Sequence, residues 1–600
     1  MKRQCRICRK TFTTSQKRVV DHCHLTGKVR GAAHEDCNLN FKDARYIPVV
    51  FHNFSQYDAH FIIREVAKHS QRLSVIPLTA EKYISLTQYI PNCKTNLRYI
   101  DSYRFMASSL EKLVSYLTDY PITRKVMSHL SDEQFSALTR KGVFCDEYVT
   151  SMDKLEDTCL PPKKAFYSHL TGAGISDSDY AYAQHVWTLF NLKTLGEYAD
   201  LYLKLDCILL ADVFLNFRKI CFEAYELDPA HYYTSPGLSW DAMLKSTGQT
   251  LELLTDPDQY LFIEKGIRGG LSQCSNRYAR AYNRYTSDYT SGDCNYLMYF
   301  DFNSLYGFAM SEPLPFKGFH WIDSTSEEWK EAAENAEEGY ILEVDLEYPR
   351  ECHDLHKDLP FCAELAIPPK SKQNKLLATL HPKKNYLIHY RNLQQAIANG
   401  LKVTRVHRIL AFQQKAWLKP YIEKNTNYRK AAPNDFDKNF FKLQINSIFG
   451  KTMESVRKYV DIKLATHWGK RYGAEAYIAK PNFHSLTIFG EELVAIKLSK
   501  TDIALNKPIY AGFSVLDISK TCVYDFHYKK MYTMFEPSSV KLLYTDTDSL
   551  VYDIRHPNVY EVMKAHLDYF DTSSYSENNI FGLQRVGKRE IVRMKIMDKS

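Results

Sequence analysis

The stretch KLLYTDTDSLVYDI, residues 541–554, decides the fold of the region around it. An apolar run precedes Asp546-Thr547-Asp548 and another follows it, a pattern that predicts two antiparallel strands joined by a tight turn. Two carboxylates on such a turn can hold Mg²⁺, which prefers hard oxygen ligands and leaves positions open for a phosphate. An isolated acidic turn is equally compatible with an ordinary surface turn, so a further carboxylate is needed to favour a metal site.

Asp301 supplies that further carboxylate. It follows the apolar run YLMYF, residues 296–300, and begins the motif DFNSLYG, so it also stands at the end of a predicted strand. Together the two stretches favour a metal site over an acidic turn.

Length and charge limit the class of protein. A chain of 600 residues predicts several domains. Its 78 basic and 70 acidic residues give a formal net charge of +8, which is compatible with a polyanionic partner without demonstrating one. The N-terminal MKRQCRICRK lacks the apolar segment of a secretory signal and no run is long enough to span a membrane. We therefore expect an intracellular protein without a membrane partner, with cysteines that are thiols or metal ligands.

The N-terminal segment contains two close pairs of metal-binding residues. Cys5-x-x-Cys8 and His34-x-x-Cys37 have the spacing of a closed tetrahedral site, which predicts one structural Zn²⁺. Four further polar residues lie between or just after these pairs: Asp21, His22, His24 and Asn38. The arrangement resembles the ββα-metal recombination endonucleases of the phage type that resolve Holliday junctions, over about residues 3 to 42.

That resemblance implies a role for each of the four residues. His22 would activate water, Asp21 and Asn38 would hold a catalytic metal ion, and His24 would lie near the DNA. His34 stands where the family more often has Cys, and three cysteines with one histidine also bind zinc. The alternative is a purely structural zinc finger, because an intact finger does not establish cleavage.

Two patterns farther along the chain resemble the second and third exonuclease motifs of family B DNA polymerases. Residues 46–68 predict a strand, a polar turn with Asn53, Tyr57 and Asp58, and an amphipathic helix. The segment YLKLDCILLADVF places Tyr202 and Asp206 one helical turn apart. Each pattern alone is typical of ordinary surface residues, and their order carries the resemblance.

The resemblance implies that Asp58 and Asp206 bind metal, that Tyr202 orients water, and that Asn53 and Tyr57 contact a single-stranded end. Residues 100–113 belong to the same block, with either Ser102 or Ser109 as the DNA-contacting match. No Asp-x-Glu, the family's first exonuclease motif, occurs before residue 46. We therefore expect impaired 3′→5′ exonuclease activity, because the carboxylates of a two-metal site are incomplete.

The motifs DFNSLYG, KLQINSIFG and YTDTDS, in this order, resemble protein-primed family B DNA polymerases of phages, adenoviruses, linear plasmids and Polinton-type transposons. The resemblance implies that Asp301 and Asp548 hold two Mg²⁺ ions and that Asp546 assists. The implied nucleotide-binding residues are Ser304, Leu305, Tyr306, Lys430, Lys442, Asn446 and Phe449. Tyr306 would pack under the incoming sugar and exclude a ribose 2′-hydroxyl, and Phe449 replaces the family's usual Tyr.

A glycine-containing connector, EKGIRGGLSQ, precedes the first polymerase motif. Gly269 and Gly270 allow a close approach of the backbone to a ligand, and Arg268 can reach a phosphate, so we expect DNA binding there. A plain tight turn is the alternative. The family places an aromatic-x-Gly-Gly here to pass the primer between sites, and Ile267 occupies the aromatic position.

We therefore predict a mixed α/β, multidomain chain. A zinc ββα-metal finger occupies residues 1–45, an RNase H-like exonuclease-type domain residues 46–255, and a family B palm and fingers residues 256–600. A protein-priming insertion is expected at about residues 315–410, and the chain stops before the family's Lys-x-Tyr and thumb, as in a truncated member.

The predicted function is template-directed DNA synthesis on a primer, with dNTPs, primer-template DNA and a terminal priming protein as partners. The nucleus or a viral replication site is the expected compartment. Two alternatives remain from other classes: a metal-dependent DNA endonuclease that acts through the finger, and a non-catalytic nucleic-acid-binding remnant.

Overall fold

The computed structural model describes residues 4–13, 16–22, 27–41, 46–70, 72–91, 95–491, 493–587 and 594–596. It divides the chain into two compact units. The smaller unit comprises Met1–Tyr103 and Val460–Thr501, and the larger comprises Arg104–Tyr459 and Asp502–Ser600. The domain boundaries at residues 45 and 255 remain predictions.

The strands, in chain order, are β1 (Arg18–His22), β2 (Val29–His34), β3 (Tyr46–Phe51), β4 (Arg72–Pro77), β5 (Tyr83–Tyr89), β6 (Asn96–Asp101), β7 (Ser272–Cys274), β8 (Asn295–Phe302), β9 (Leu314–Ile322), β10 (Glu338–Glu347), β11 (Glu364–Ala366), β12 (Lys375–Leu377), β13 (Lys383–His389), β14 (Lys402–Lys415), β15 (Asp461–Ala465), β16 (Phe483–Gly490), β17 (Leu493–Leu498), β18 (Val540–Asp546), β19 (Ser549–Arg555), β20 (Phe570–Asp571) and β21 (Met594–Ile596).

The α-helices, in chain order, are α1 (Glu35–Asn40), α2 (Asp58–Lys68), α3 (Leu110–Val114), α4 (Pro121–Val126), α5 (Asp132–Ala137), α6 (Asp177–Leu189), α7 (Leu195–Tyr225), α8 (Ser235–Thr247), α9 (Pro257–Gly266), α10 (Leu305–Ser311), α11 (Glu328–Glu331), α12 (His353–His356), α13 (Tyr390–Ala398), α14 (Lys419–Ala431), α15 (Asp435–Thr452), α16 (Ala474–Ile478), α17 (Ile509–Tyr524), α18 (Tyr532–Met534) and α19 (Val559–Ala565).

The smaller unit is built on the sheet β3-β6-β5-β4, in which β3 and β6 are parallel and the other neighbours antiparallel. As the apolar spacing predicts, α2 follows β3 and buries one side, including Ile63. The antiparallel sheet β15-β17-β16 belongs to this unit, because Ile462 and Leu493 share an apolar core with Phe54 and Ile63. A distant segment of sequence thus completes the core of the N-terminal unit.

The larger unit contains the sheet β20-β21-β8-β19-β18-β7, which includes both stretches from which the metal site was predicted. Residues 314–415 contribute a second sheet in the order β13-β10-β14-β9, with β11 and β12 forming a separate hairpin. The long helix α7 runs from Leu195 to Tyr225. None of the described helices combines the length and the apolar character that crossing a membrane requires.

Two helices of the larger unit bear on the sequence predictions. Pro433-Asn434 predicts a break before the long helix that carries Lys442. The break is confirmed, because the Asn434 side chain caps α15 by accepting a hydrogen bond from the Asp437 backbone N–H at 2.9 Å. The sequence of residues 507–531 predicts an amphipathic helix that leads into the hairpin, but α17, which forms there, is buried along most of its length. A helix packed on several sides has no exposed polar stripe, so the prediction of an amphipathic helix was wrong.

Candidate active site

The predicted carboxylate hairpin is present. Strands β18 and β19 are antiparallel, with Asp546 opposite Ser549, and Thr547 and Asp548 form the turn. The Asp548 backbone N–H donates to the Asp546 carbonyl at 2.6 Å. Thr547 has a φ of 60°, in the left-handed region that β-branched residues rarely adopt, so the turn is strained. The two carboxylates therefore project from a short, tightly folded segment.

Asp301 lies beside this hairpin. It is paired with Ser549 across β8 and β19, and the Phe302 backbone N–H donates to the Asp548 carbonyl at 2.8 Å. Burial and the nearby Asp548 carboxylate raise the pKa of Asp301. Burial also raises the pKa of Asp548, with Asp546 adding to the effect. Half-buried, mutually repelling hard oxygen ligands fit divalent cations such as Mg²⁺.

Two lysines act on these carboxylates from a distance. The charge of Lys442, an exposed residue of α15, lowers the pKa of both Asp301 and Asp548 against the effect of burial. Lys595 stands opposite Asp301 in β21 and has the same effect on Asp301. Sequence reasoning missed Lys595, although the alternating pattern VRMKIM, residues 592–597, is a strand signal.

The other predicted nucleotide-binding residues lie on two helices and the start of a third. Lys430 is exposed near the end of α14, and Asn446 is exposed one turn after Lys442 on α15. Ser304, with a φ of 62°, precedes α10, where Leu305 is buried.

Tyr306 and Phe449 form a stacked pair in the larger unit. Their ring centroids are 4.6 Å apart with an interplanar angle of 26°. Burial and the charge of Asp548 raise the pKa of Tyr306, so this ring lies within electrostatic reach of the carboxylate hairpin. The two stacked rings form an aromatic surface near the carboxylate hairpin.

The connector before β8 runs along the hairpin, because β7 pairs with β18 and places Ser272 opposite Asp546. Arg268 points away from solvent: its guanidinium lies 3.9 Å from the ring centroid of Tyr386 and donates to the carbonyls of Gly266 and Leu387. Gly269 borders open space, whereas Gly270 packs against Thr547.

Tyr202 and Asp206 share one face of α7, as the spacing predicts, and both contact a residue that sequence reasoning missed. The Lys141 ammonium donates to the Tyr202 hydroxyl at 2.6 Å and to the Asp206 carboxylate at 2.8 Å. Burial lowers the pKa of Lys141, but these two hydrogen bonds outweigh it and the net shift is upward. No sequence spacing connects residues 141 and 206, so only the fold brings them together.

In the smaller unit, Asn53 has a φ of 72°, Tyr57 is 63% exposed, and Asp58 begins α2. Burial raises the pKa of Asp58, and the neighbouring Asp101 adds to the shift. Asp101 is fully buried and accepts hydrogen bonds from Asn53, from both the N–H and hydroxyl of Ser55, and from Tyr103. Both carboxylate oxygens of Asp101 accept hydrogen bonds from the protein, so this side chain stabilises the turn that contains Asn53 and Ser55.

The two candidate serines of residues 100–113 have different environments. Ser102 is buried in the smaller unit, hydrogen bonded to His52 and donating to the Phe51 carbonyl. In the larger unit, Ser109 caps α3 by accepting from the Lys112 backbone N–H. Both hydroxyls are thus engaged within their own units.

The four predicted zinc ligands form a cluster. The ligand atoms of Cys5, Cys8, His34 and Cys37 all lie within 4.8 Å of one another. Three thiols and one imidazole at this spacing fit Zn²⁺.

The endonuclease-type residues of the finger differ in their exposure to solvent. The Asp21 side chain is only 4% exposed, and one of its oxygens lies 2.7 Å from Nε of Arg6. His22 is exposed at the end of β1, and Asn38 is half-buried in α1. His24 lies outside the described residues. A buried, ion-paired Asp21 does not fit the role of metal ligand.

Comparisons with known families give two matches. The family described as DNA polymerase type B, organellar and viral, matches residues 191–530. The family described as recombination endonuclease VII matches residues 1–58. No curated protein sequence matches the chain.

Comparison with solved structures gives matches of low sequence identity, with TM-scores below 0.5 for the three described here. Phi29 DNA polymerase in a ternary complex with primer-template DNA and incoming nucleotide is 14% identical, with a TM-score of 0.49 over 87% of this chain and 74% of that one. Its post-translocation binary complex gives 14% identity and 0.46 over 91% and 81%. The family B polymerase of Pyrobaculum calidifontis gives 10% identity and 0.21 over 87% and 47%.

Proposed function

The chain belongs to the organellar and viral type B DNA polymerase family and is a DNA-directed DNA polymerase, and from this premise we propose that Asp301, Asp546 and Asp548 form its catalytic centre. The observation that supports this most strongly is the strand register: Asp546 and Asp301 are the two strand neighbours of Ser549, and Asp548 lies in the turn just before it. DNA polymerases use divalent metal ions, and we assign two Mg²⁺ to this centre, held mainly by Asp301 and Asp548.

Bound Mg²⁺ would neutralise the triphosphate and lower the pKa of the primer 3′-hydroxyl, as phosphoryl transfer requires. The chain's own residues supply binding and orientation. Lys442, Asn446 and Lys430 present donors and positive charge to the phosphates from α14 and α15. The positive charge of Lys442 already acts on Asp301 and Asp548, and a negatively charged triphosphate would occupy the same region.

Tyr306 and Phe449 set the sugar specificity in this proposal. Their stacked rings are held together near Asp548, and a ribose 2′-hydroxyl would collide with the Tyr306 ring. Phe449 contributes the ring surface of the family's Tyr without its hydroxyl, so we expect its effect on fidelity rather than on the chemical step.

The remaining predicted sites receive supporting roles. Asn53, Tyr57 and Asp58 of the smaller unit keep the roles implied by their motif. In the larger unit, the exonuclease-type motif of Tyr202 and Asp206 has impaired activity. This is supported by Lys141, whose ammonium lies where a cation would neutralise Asp206. We assign the finger to nucleic-acid binding through a zinc-held fold, because the pairing of Asp21 with Arg6 disfavours the alternative of DNA cleavage. Primer-template DNA, dNTPs and a priming protein bound near residues 315–410 are the proposed partners, at an intracellular replication site.

Primer extension tests the catalytic assignment. The wild-type protein should extend a labelled primer with Mg²⁺ and dNTPs, and Asp548→Ala should lower the rate by at least ~10³-fold, because it removes a metal ligand. Asp553→Asn, in the adjoining strand β19, is the matched control and should retain extension, because this side chain accepts a hydrogen bond from Asn295 and lies away from the turn. Extension that survives Asp548→Ala would refute the assignment, and dNTP binding with Mg²⁺ is a second readout.

A further inference from the structure

Gly270 lies directly against the turn of the carboxylate hairpin. A methyl group built at its Cβ position would stand 2.3 Å from Oγ1, 2.5 Å from Cγ2 and 2.7 Å from Cβ of Thr547. Non-bonded carbon atoms favour separations of about 3.5–4.0 Å. No side chain larger than hydrogen therefore fits at position 270 unless Thr547 moves.

A movement of Thr547 would displace the carboxylates on either side of it. Its Cβ position is fixed by the backbone, so no rotation of the side chain can relieve the contact. The turn is also tied to the connector, because the Thr547 backbone N–H donates to the Leu271 carbonyl at 2.8 Å and Ser272 pairs with Asp546. Thr547 already has a strained φ of 60°, which these contacts maintain.

The backbone of Gly270 does not itself require glycine. Its φ lies outside the left-handed region, so an alanine would adopt this conformation without strain. Glycine at position 270 thus matters for the space it leaves to Thr547. The adjacent Gly269 differs, because a methyl there meets no atom within 4 Å.

We propose that Gly270 is a positioning residue for nucleotide transfer: its missing side chain accommodates Thr547 and so fixes Asp546 and Asp548 for metal binding. The proposal rests on the catalytic function assigned to the hairpin. It gives Gly270 a role in the catalytic turn, whereas the sequence pattern alone indicated a contact with DNA.

The first experiment compares Gly270→Ala with wild type in primer extension at saturating DNA, across a Mg²⁺ titration. A displacement near 1 Å at a reacting centre can cost ~10²-fold in rate, and we expect a loss of that order with a higher Mg²⁺ requirement. Primer-template affinity should stay within about 2-fold, because no DNA contact is removed. Gly174→Ala is the control, because a methyl there meets no atom within 4 Å and the φ of Gly174 lies outside the left-handed region.

A double-mutant cycle separates this proposal from a general loss of folding. Thr547→Gly removes the atoms that a methyl at 270 would meet, and glycine tolerates the φ of 60°. Whatever Thr547→Gly does alone, adding Gly270→Ala to it should change the rate by no more than about 2-fold. Equal losses from Gly270→Ala in both backgrounds would overturn the proposal.

The outcome for a DNA contact is different. If the connector instead contacts DNA, Gly269→Ala and Gly270→Ala would both weaken primer-template binding. Neither variant would change the Mg²⁺ requirement, and Thr547→Gly would not restore the activity of Gly270→Ala. This result would also overturn the proposal. Failure of the catalytic assignment itself is distinguishable, since it appears as extension that persists in Asp548→Ala.

Discussion

Two carboxylate sites of the larger unit differ in the source of their countercharge. Asp206 on α7 has the ammonium of Lys141 at 2.8 Å, supplied by the chain itself. For Asp301, Asp546 and Asp548, the described residues include no Lys, Arg or His nitrogen within the 4.0 Å of an ion pair. Within the part of the chain that the structure describes, these carboxylates therefore have no direct protein cation.

A metal ion could therefore bind the carboxylates of the hairpin without displacing a protein cation, whereas Asp206 is already neutralised by Lys141. Burial, and to a smaller extent repulsion by a neighbouring carboxylate, raises the pKa of Asp301 and Asp548, so keeping these groups ionised has an energetic cost. Such clusters are typical of functional sites, because a bound cation removes the repulsion. Asp206 gains less from a metal ion, since the ion would first have to displace Lys141.

The finger shows the same contrast within one small region. Asp21 is compensated by Arg6, whereas the cluster of Cys5, Cys8, His34 and Cys37 has only soft ligand atoms facing one another. By this reasoning we propose that zinc binds the cluster, whereas a metal ion at Asp21 would first have to displace the Arg6 guanidinium.

The largest expected effect is on the finger. One zinc ion per chain should be found in freshly purified protein, and Cys8→Ser should abolish it and unfold residues 1–45, because small metal domains fold on their metal at about 10 kcal/mol or more. Elemental analysis and limited proteolysis measure this.

Two controls accompany the zinc measurement. Cys159→Ser alters an exposed cysteine of the larger unit and should retain one zinc. Primer extension should survive Cys8→Ser, since the carboxylate hairpin belongs to the larger unit. If the purified protein contains no zinc and the finger is nevertheless folded, the cluster is not a structural metal site, and its proposed difference from Asp21 is wrong.

The second prediction concerns trimming of a mismatched primer end. The 600-residue chain carries no Asp-x-Glu before residue 46, and Lys141 neutralises Asp206, so trimming should be at least ~10²-fold slower than extension. The measurement uses His22→Ala protein, in which any cleavage by the finger is silenced. Efficient trimming that disappears when Asp206→Ala is added would show that Asp206 does serve a working metal site.

The smallest predicted effect is on stability, and its sign differs between the two sites. In EDTA, Asp548→Asn should raise the free energy of unfolding by about 1 kcal/mol because it removes repulsion, as is common at functional sites. Asp206→Asn should lower it by about 1 kcal/mol because Lys141 loses its partner. Added Mg²⁺ should stabilise the wild type and not Asp548→Asn. Thermal or urea unfolding measures these changes in stability. Changes of the same sign for Asp548→Asn and Asp206→Asn would contradict the comparison of the two sites.

Much of the candidate catalytic site could be predicted because its parts are local. The hairpin around Asp546 and Asp548, the strand that ends near Asp301 and the helix that carries Lys442 each follow from hydrophobic spacing over a few residues. Two close pairs of ligands likewise sufficed to predict the zinc cluster.

What the sequence did not reveal depends on contacts between distant segments. Lys141 meets Asp206 across 65 positions, and Lys595 reaches Asp301 only through the pairing of β21 with β8. Arg268 was expected to face a phosphate, but the ring of Tyr386 and two backbone carbonyls engage its guanidinium. The hydrophobic periodicity of one segment does not indicate which distant residues contact it.

The sequence by itself determined the family-type motifs, their order and the local elements that present them, because capping, spacing and turn propensity act over one or two turns of chain. Tertiary structure alone decided that residues 460–501 complete the core of the N-terminal unit, that α17 is buried, and that Gly270 leaves space for Thr547. These features arise because segments far apart in sequence pack against one another. The burial of apolar surface over the whole fold decides which segments come into contact.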